Sequence, residues 1–442
     1  MSLKQRLEQI NEKVEESTKK INDPYYEFKN KILINVIEEL EIDFKEISDK
    51  NQKMINEISY LIDNNIEKED LNLTSNQKSR IREELINEII GFGPISDLLK
   101  DNEITEIMVN GPNSIYIEKH GKLQLTDVKF KNNDHVIHVI KKIVSPLGRR
   151  IDEKSPMVDA RLPNGSRVNA IIPPLAIDGP SITIRKFSED PYNIEDLINF
   201  GTLNSKMAEF LKMCVKGKLN IIVSGGTGSG KTTSLNVISS FISEDERIVT
   251  IEDSAELQLT QKHVVRLETR SKNIEGSGEI SIRDLVKNSL RMRPDRIIIG
   301  EVRSAEALDM LQAMNTGHDG SLTTGHANTP RDILSRLETM VLMAGLNLPI
   351  IAIRNQISSA INLIVQQSRM MDGTRRITHI TEVQGMEGEI ITLQDIFLFK
   401  QNGVDSNGKV LGEFISTGIK PKFFKLLNQR GINSSSELFS SF

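Results

Sequence analysis

The sequence predicts a mixed α/β protein in three parts, and three changes of hydrophobic rhythm along the chain predict it. Up to about residue 90, apolar residues recur at helical spacing. From about 104 to 187 they alternate with polar residues in short runs, as in half-buried strands. From about 204 to 365, short apolar runs alternate with helical stretches, which implies a parallel, largely buried sheet. The boundaries are set at 1–75 for an N-terminal arm and helical bundle, 76–200 for an α+β domain with its linker, and 201–442 for an α/β domain.

Residues 1–25 are charged and carry a weak apolar pattern, so a frayed helix or disordered arm is expected there. Phe28, Ile32, Val36 and Leu40 mark one helix, and Met54, Ile55, Ile58, Leu61 and Ile62 mark a second. A third runs roughly from Asn76 to Ile90, with Thr74 or Ser75 as its candidate cap. Gly91-Phe92-Gly93-Pro94 stops it. In residues 104–130 three strands are separated by turns at Gly111-Pro112 and His120-Gly121. A helix is expected around Asp134–Leu147. Pro163-Asn164-Gly165 between two strand-like runs signals a hairpin, and "SITIRKF" (181–187) is another strand. Residues 95–190 therefore read as α+β with a mainly antiparallel sheet. After a linker around 188–204, strands are expected at Asn220–Ser224, Ile248–Glu252, Val264–Leu267 and Arg296–Gly300.

Composition narrows the function. No apolar run of the 442 residues approaches the ~20 needed to span a bilayer, and the N-terminal stretch is too charged for the apolar core of a signal peptide. The cytoplasm is the expected compartment. The one cysteine, Cys214, excludes an internal disulfide framework and any CxxC zinc module. A net charge of −5 without an arginine-rich run argues against nucleic acid as a direct partner.

"IIVSGGTGSGKTT" (221–233) is an apolar strand, then GxxxxGKT, then a helix-compatible run. Glycines let a backbone wrap phosphates, and loop amides with a helix N-terminus meet the anion. Gly225, Gly226, Thr227, Gly228, Ser229, Gly230, Lys231, Thr232 and Thr233 are the candidate nucleotide-binding residues. Lys231 is suited to the β- and γ-phosphates, and the Thr232 hydroxyl to Mg²⁺. The pattern implies a nucleoside triphosphate with Mg²⁺.

Carboxylates for hydrolysis are sought at the ends of other strands, where ligands of α/β sheets bind. Glu301 ends "RIIIGE", with Gly300 where a metal-holding aspartate is common, so Glu301 is the candidate to orient or deprotonate the attacking water. Glu252 and Asp253 end another strand. With Thr232 and Glu301 they form the candidate metal set; a helix cap or solvated turn is their plainer reading. "TGHDGSLTTGHANTP" (316–330) holds His318 and His326 eight residues apart. Two histidines fall short of a zinc ligand set. A structural pair or a γ-phosphate sensor both fit. Arg161 and Arg167 flank the Asn164-Gly165 turn and Arg185 follows on the next strand, either as solvated strand-face charges or as phosphate contacts.

These elements resemble the type II/IV secretion superfamily of ATPases. Residues 289–341, with "RRITHITEVQGMEGEIITLQDIF" (375–397), look like the Tad/Flp pilus assembly motors of the CpaF type. The resemblance covers about 78–400. It implies ATP as the nucleotide, a RecA-like P-loop domain preceded by a PAS-like domain, and a homohexameric ring on the cytoplasmic face of a membrane. The implied partner is an inner-membrane platform protein of a pilus or secretion system. By position Glu252 and Asp253 match the acidic box, Glu301 the catalytic glutamate, and His318 and His326 the two histidines of the His box. The resemblance adds Arg161, Arg167 and Arg185 as catalytic candidates on equivalent strands. The four-cysteine zinc segment of related ATPases is missing, as in the Tad branch, and residues 1–75 match nothing specific. A conjugative or type IV export ATPase shares every motif; a DNA translocase and a non-hydrolysing nucleotide-binding scaffold are the more distant readings.

Overall fold

The computed structural model describes residues 25–40, 52–69, 73–119, 121–187, 191–270, 277–432 and 436–439. The arm expected over residues 1–25 falls outside them except for Tyr25, as does His120 of an expected turn. The chain divides into two compact units, residues 1–188 and 189–442.

The first unit begins with α1 (Tyr26–Glu39), α2 (Gln52–Lys68) and α3 (Ser75–Ile89). Ile32, Val36, Ile58, Ile62, Ile81 and Leu85 close a small core between them. Fully burying an isoleucine contributes about 1.5–3 kcal/mol, more than any helix propensity, so the apolar stripes decide this packing. Thr74 caps α3 in a reciprocal pairing with Gln77. A short helix α4 (Ser96–Lys100) leads into β1 (Ile104–Asn110), β2 (Ile115–Lys119) and β3 (Lys122–Leu125). Then come α5 (Asn133–Val144), β4 (Met157–Arg161), β5 (Arg167–Ile171) and β6 (Ser181–Arg185). The sheet order is β3-β2-β1-β6-β5-β4, and each neighbouring pair is antiparallel. Alternate residues such as Ile107, Val109, Ile182 and Ile184 are buried with Val136, Val139 and Ile140 of α5.

The second unit opens inside the expected linker with a helix, α6 (Ile194–Asn199), started by an Asn193–Asp196 capping box. The order continues with α7 (Ser205–Lys216), β7 (Ile221–Gly225), α8 (Lys231–Ser239), β8 (Ile248–Glu252), β9 (Val264–Glu268) and α9 (Ile282–Ser289). Next are β10 (Arg296–Val302), α10 (Glu306–Asn315), β11 (Leu322–Gly325), α11 (Pro330–Leu342) and α12 (Ile350–Ala360). The last elements are β12 (Leu363–Arg369), β13 (Arg375–Glu387), β14 (Ile390–Val404), β15 (Val410–Ser416) and α13 (Phe424–Gln429).

One nine-stranded sheet results, in the order β15-β14-β13-β12-β7-β11-β10-β8-β9. The run from β12 to β9 is parallel, as the sequence implies, but β13, β14 and β15 extend it antiparallel. The physical reason is connection length. Five residues join β12 to β13 and two join β13 to β14, whereas a parallel crossover needs a dozen or more. The parallel strands bury both faces. Ile221 and Val223 of β7 join the core that holds α7 and α8, while Ile222 joins the one that holds α10, α11 and α12.

Arg296, at the start of β10, is fully buried. Its guanidinium donates to Glu246 through Nε (2.7 Å) and Nη2 (3.1 Å), and to the carbonyls of Val215 (2.8 Å) and Gly320 (3.1 Å). Arg296→Ala removes a fully buried guanidinium and its hydrogen bonds but leaves Glu246 paired with Lys218 (3.0 Å), so denaturant unfolding should show a loss of about 1–3 kcal/mol. A loss under about 1 kcal/mol would mean that relaxation or water replaces the guanidinium.

Candidate nucleotide site

β7 delivers the phosphate loop to the C-terminal edge of the parallel sheet. A side chain at Gly225 would bring its Cβ to 2.3 Å from the Gln367 carbonyl oxygen and 2.6 Å from Ser229 Oγ. Gly228 and Gly230 take φ of +69° and +94°, which side chains resist. Gly230 then starts α8, whose first-turn amides and dipole face the loop. Ser229 Oγ donates to the Gly226 carbonyl (2.9 Å), bracing the loop from within. Thr232 and Thr233 sit half-buried on the first turn of α8.

Lys231 is 7% exposed, and its ammonium donates to the Gly226 carbonyl at 3.0 Å. Burial lowers its pKa, with Arg303 assisting and Glu301 opposing. His326 follows the end of β11, the strand beside β7. Its Nδ1 and Nε2 lie 3.3 and 3.4 Å from Lys231 Nζ, and Nε2 lies 2.8 Å from Glu301 Oε1. Arg303 Nη2 donates to the other Glu301 oxygen at 2.7 Å. Lys231, His326, Glu301 and Arg303 thus form one line of alternating contact across the ends of three strands.

Glu252 and Glu301 end adjacent strands, β8 and β10. Glu252 is buried, and its Oε2 accepts the amides of Glu256 (2.7 Å) and Leu257 (3.1 Å). It therefore caps the turn after β8, while its Oε1 is buried without a hydrogen bond. Burial raises its pKa, and the two amides oppose this. Gly300 is explained by this neighbour: a Cβ there would lie 2.9 Å from Glu252 Cγ, so no aspartate fits. Asp253 is exposed, within 3.3 Å of Thr269 Oγ1.

The two histidines part company. β11 runs parallel to β7, so His318 before it and His326 after it lie at opposite ends of a four-residue strand, about 13 Å apart along its axis. They cannot share a metal ion. His318 stands beside Asp319, which binds Arg430 at 2.8 Å on the edge away from the phosphate loop.

A cleft of about 330 Å³ opens in front of the loop, lined by Gly226, Thr227, His326, Ala327, Asn328, Asp332 and Arg336. Asn328, Asp332 and Arg336 are additions to the sequence reading; their only signal is the helix start after the His-rich stretch. Gln367 is another. Its amide nitrogen lies 3.1 Å from where a Cβ of Gly230 would be. The first unit holds the three expected arginines in one cross-strand row: Arg161 pairs in register with Arg167, and Arg167 with Arg185. Arg185 Nε also donates to Glu106 at 2.7 Å.

A glycine cradle on a parallel strand, a buried lysine at a helix start and a carboxylate ending a strand two places away in the sheet define the P-loop class of nucleotide-binding proteins. The unpartnered buried oxygen of Glu252 and the Thr232 hydroxyl suit a nucleotide-bound Mg²⁺. The chain belongs to the type II/IV secretion system protein family, whose model matches residues 88–406. It is 33% identical to conjugal transfer protein TrbB of Rhizobium radiobacter, over 65% of this chain and 86% of that one. It is 32% identical to type IV secretion system protein VirB11 of Bartonella quintana, over 65% of this chain and 90% of that one. Among solved structures, the VirB11 ATPase of Brucella suis, crystallised with sulphate, aligns at 28% identity over 65% of this chain and 94% of that one, with a TM-score of 0.36.

His326 supplies a test that does not depend on turnover. Burial lowers its pKa below 6.5, and the nearby cations of Lys231, Arg303 and Arg336 add to this while Glu301 opposes it. The neutral ring is favoured, and protonation waits for a more acidic pH than usual. Removing one cation by Arg336→Ala should raise the His326 pKa, read by NMR of the labelled imidazole. A value that stays put or falls would show that Arg336 does not face the ring.

Proposed function

We propose that this chain hydrolyses ATP with Mg²⁺ and acts as a homohexameric ring motor for a membrane-embedded pilus or secretion machine. The observation that carries the proposal is the convergence of Lys231, His326 and Glu301 on the mouth of the glycine cradle. Among the described residues no helix is long and apolar enough to cross a membrane. The resemblance implies a motor at the cytoplasmic face, held by an inner-membrane platform protein. The flanking of the P-loop strand by parallel strands supports a RecA-like reading of residues 201–442. An antiparallel sheet backed by one helix supports a PAS-like reading within residues 76–200, after an N-terminal bundle whose third helix, Ser75–Ile89, runs past the expected boundary at 75.

The residues divide the work. Loop amides and Lys231 bind the β- and γ-phosphates, Thr232 with Glu252, Asp253 and Glu301 holds the metal, and Glu301 orients or deprotonates water. Bound ATP supplies the phosphoryl group, and Mg²⁺ neutralises charge on its oxygens. His326 bridges Lys231 and Glu301, so it is placed to register the loss of the γ-phosphate. Glu301→Gln should keep ATP binding and lower turnover by on the order of 10²-fold or more. Lys231→Ala should lose turnover with the fold intact. If Glu301→Gln weakens binding and turnover together, Glu301 acts through the metal or the fold and not on water; brisk hydrolysis by Lys231→Ala would remove the phosphate-site reading.

The row of Arg161, Arg167 and Arg185 belongs to the same proposal. Arg185 already pairs with Glu106; that the row also meets an anion is what the resemblance to the secretion ATPases implies. We place that anion on the nucleotide of a neighbouring subunit or of the same chain. Mixed rings of Lys231→Ala and Arg185→Ala should regain part of the activity if the arginines act between subunits. Rings that exchange subunits and stay inactive would leave only action within one chain.

Motif detail in 289–341 and 375–397 favours the CpaF-type Tad/Flp pilus motor as the particular machine. The second reading, a conjugative or type IV export motor, is favoured by the similarity to TrbB and VirB11. Loss of surface pili on deletion supports the first; lost conjugation or export with pili intact supports the second.

A further inference from the structure

We infer that Gln366 is a positioning residue for turnover, one that holds the His326 loop in place from the far side of the phosphate-loop strand. The inference rests on the ATP-hydrolysis reading above and adds a residue to it.

β12 lies against β7 on the side opposite β11, so β7 is sandwiched between them. Gln366, Ser224 and Gly325 form one row in register across these three strands. Successive strand residues point to opposite faces. Gln366 therefore shares the face of Ile364 and Ile222, whose core includes Ile333 and Leu337 of α11. Gln367 shares the other face, with Val365, Val223 and Leu235 of α8.

From that position the Gln366 amide nitrogen donates to the Ala327 carbonyl at 3.1 Å, next to His326. The bond joins β12 to the segment that follows β11, across the intervening β7. The reach is open because the residue between is a serine and the one beyond is a glycine. A Cβ at Gly325 would lie 2.7 Å from Ile333 Cδ1, so α11 presses close there. Gln366 is 1% exposed, and its Oε1 has no hydrogen-bond partner. A buried amide with one arm unsatisfied costs free energy that packing alone does not explain. Its satisfied arm bears on the one loop that carries His326. Adjacent Gln367 lies against the phosphate loop: its carbonyl oxygen crowds Gly225 and its amide nitrogen sits beside Gly230.

The division of labour sets the test. Gln366→Met keeps length and volume, removes the donor to Ala327 and also removes the unsatisfied oxygen, so unfolding should shift little. Turnover should fall about tenfold through misplacement of His326. Affinity for a non-hydrolysable ATP analogue, measured by calorimetry, should stay within about twofold, because β7 and Gln367 are untouched. In a His326→Ala background, Gln366→Met should cost nothing further, since both substitutions remove the same arrangement. Gln366→Leu, which removes the same donor with a different apolar shape, should reproduce the split and guards against a poorly packed methionine variant. Losses that multiply in the double variant, or affinity that falls in step with turnover, would overturn the assignment. An unsubstituted chain with no ATP turnover would overturn the hydrolysis reading, and this one with it; turnover with multiplying losses would overturn this one alone.

Discussion

The parallel registration of β12, β7, β11, β10 and β8 is the constraint on which the rest of the site depends. Parallel strands end together, so the carboxyl ends of all five meet on one edge of the sheet. Lys231 follows β7, His326 follows β11, Glu301 lies at the end of β10 and Glu252 at the end of β8. No two of these four come from the same strand, yet Lys231, His326 and Glu301 are in contact. Antiparallel pairing at any one step would carry a member of the set to the other edge. His318 shows the consequence: it precedes β11 rather than following it, and it lands away from the phosphate loop.

Close packing sharpens the chemistry. Lys231 is nearly buried, so its charge is poorly screened and its neighbours matter. Burial, with the cations of Lys231, Arg303 and Arg336 adding to it and Glu301 opposing, favours the neutral His326 ring. Gly300 and Gly225 belong to the same economy of space. Each gives up a side chain so that a functional group or a backbone can come close: Glu252 in one case, the Gln367 carbonyl in the other.

The first unit solves a different problem. Its antiparallel sheet buries one set of alternating residues against α5 and leaves the ends of β4, β5 and β6 to three arginines in register. Sequence spacing placed these residues near one hairpin. Only the register shows that they form a continuous cross-strand row.

The glycine pattern, the apolar strand before it and the carboxylates at strand ends are local, and local signals suffice for them. Turn chemistry and hydrophobic period act within a few residues. The sequence by itself therefore determined the phosphate loop, the strands up to Arg296–Gly300, a cap at Thr74 or Ser75 and the identities of Lys231, Glu252, Glu301 and His326 as candidates. Tertiary structure decided what long-range neighbours control: the antiparallel β13–β15 extension, the separation of His318 from His326, the reason for Gly300, and the presence of Arg336, Gln366 and Gln367 around the site. These depend on which strand lies beside which. Strand order is set by packing over separations of a hundred residues or more, as between Ser224 and Gln366, and no local pattern encodes it.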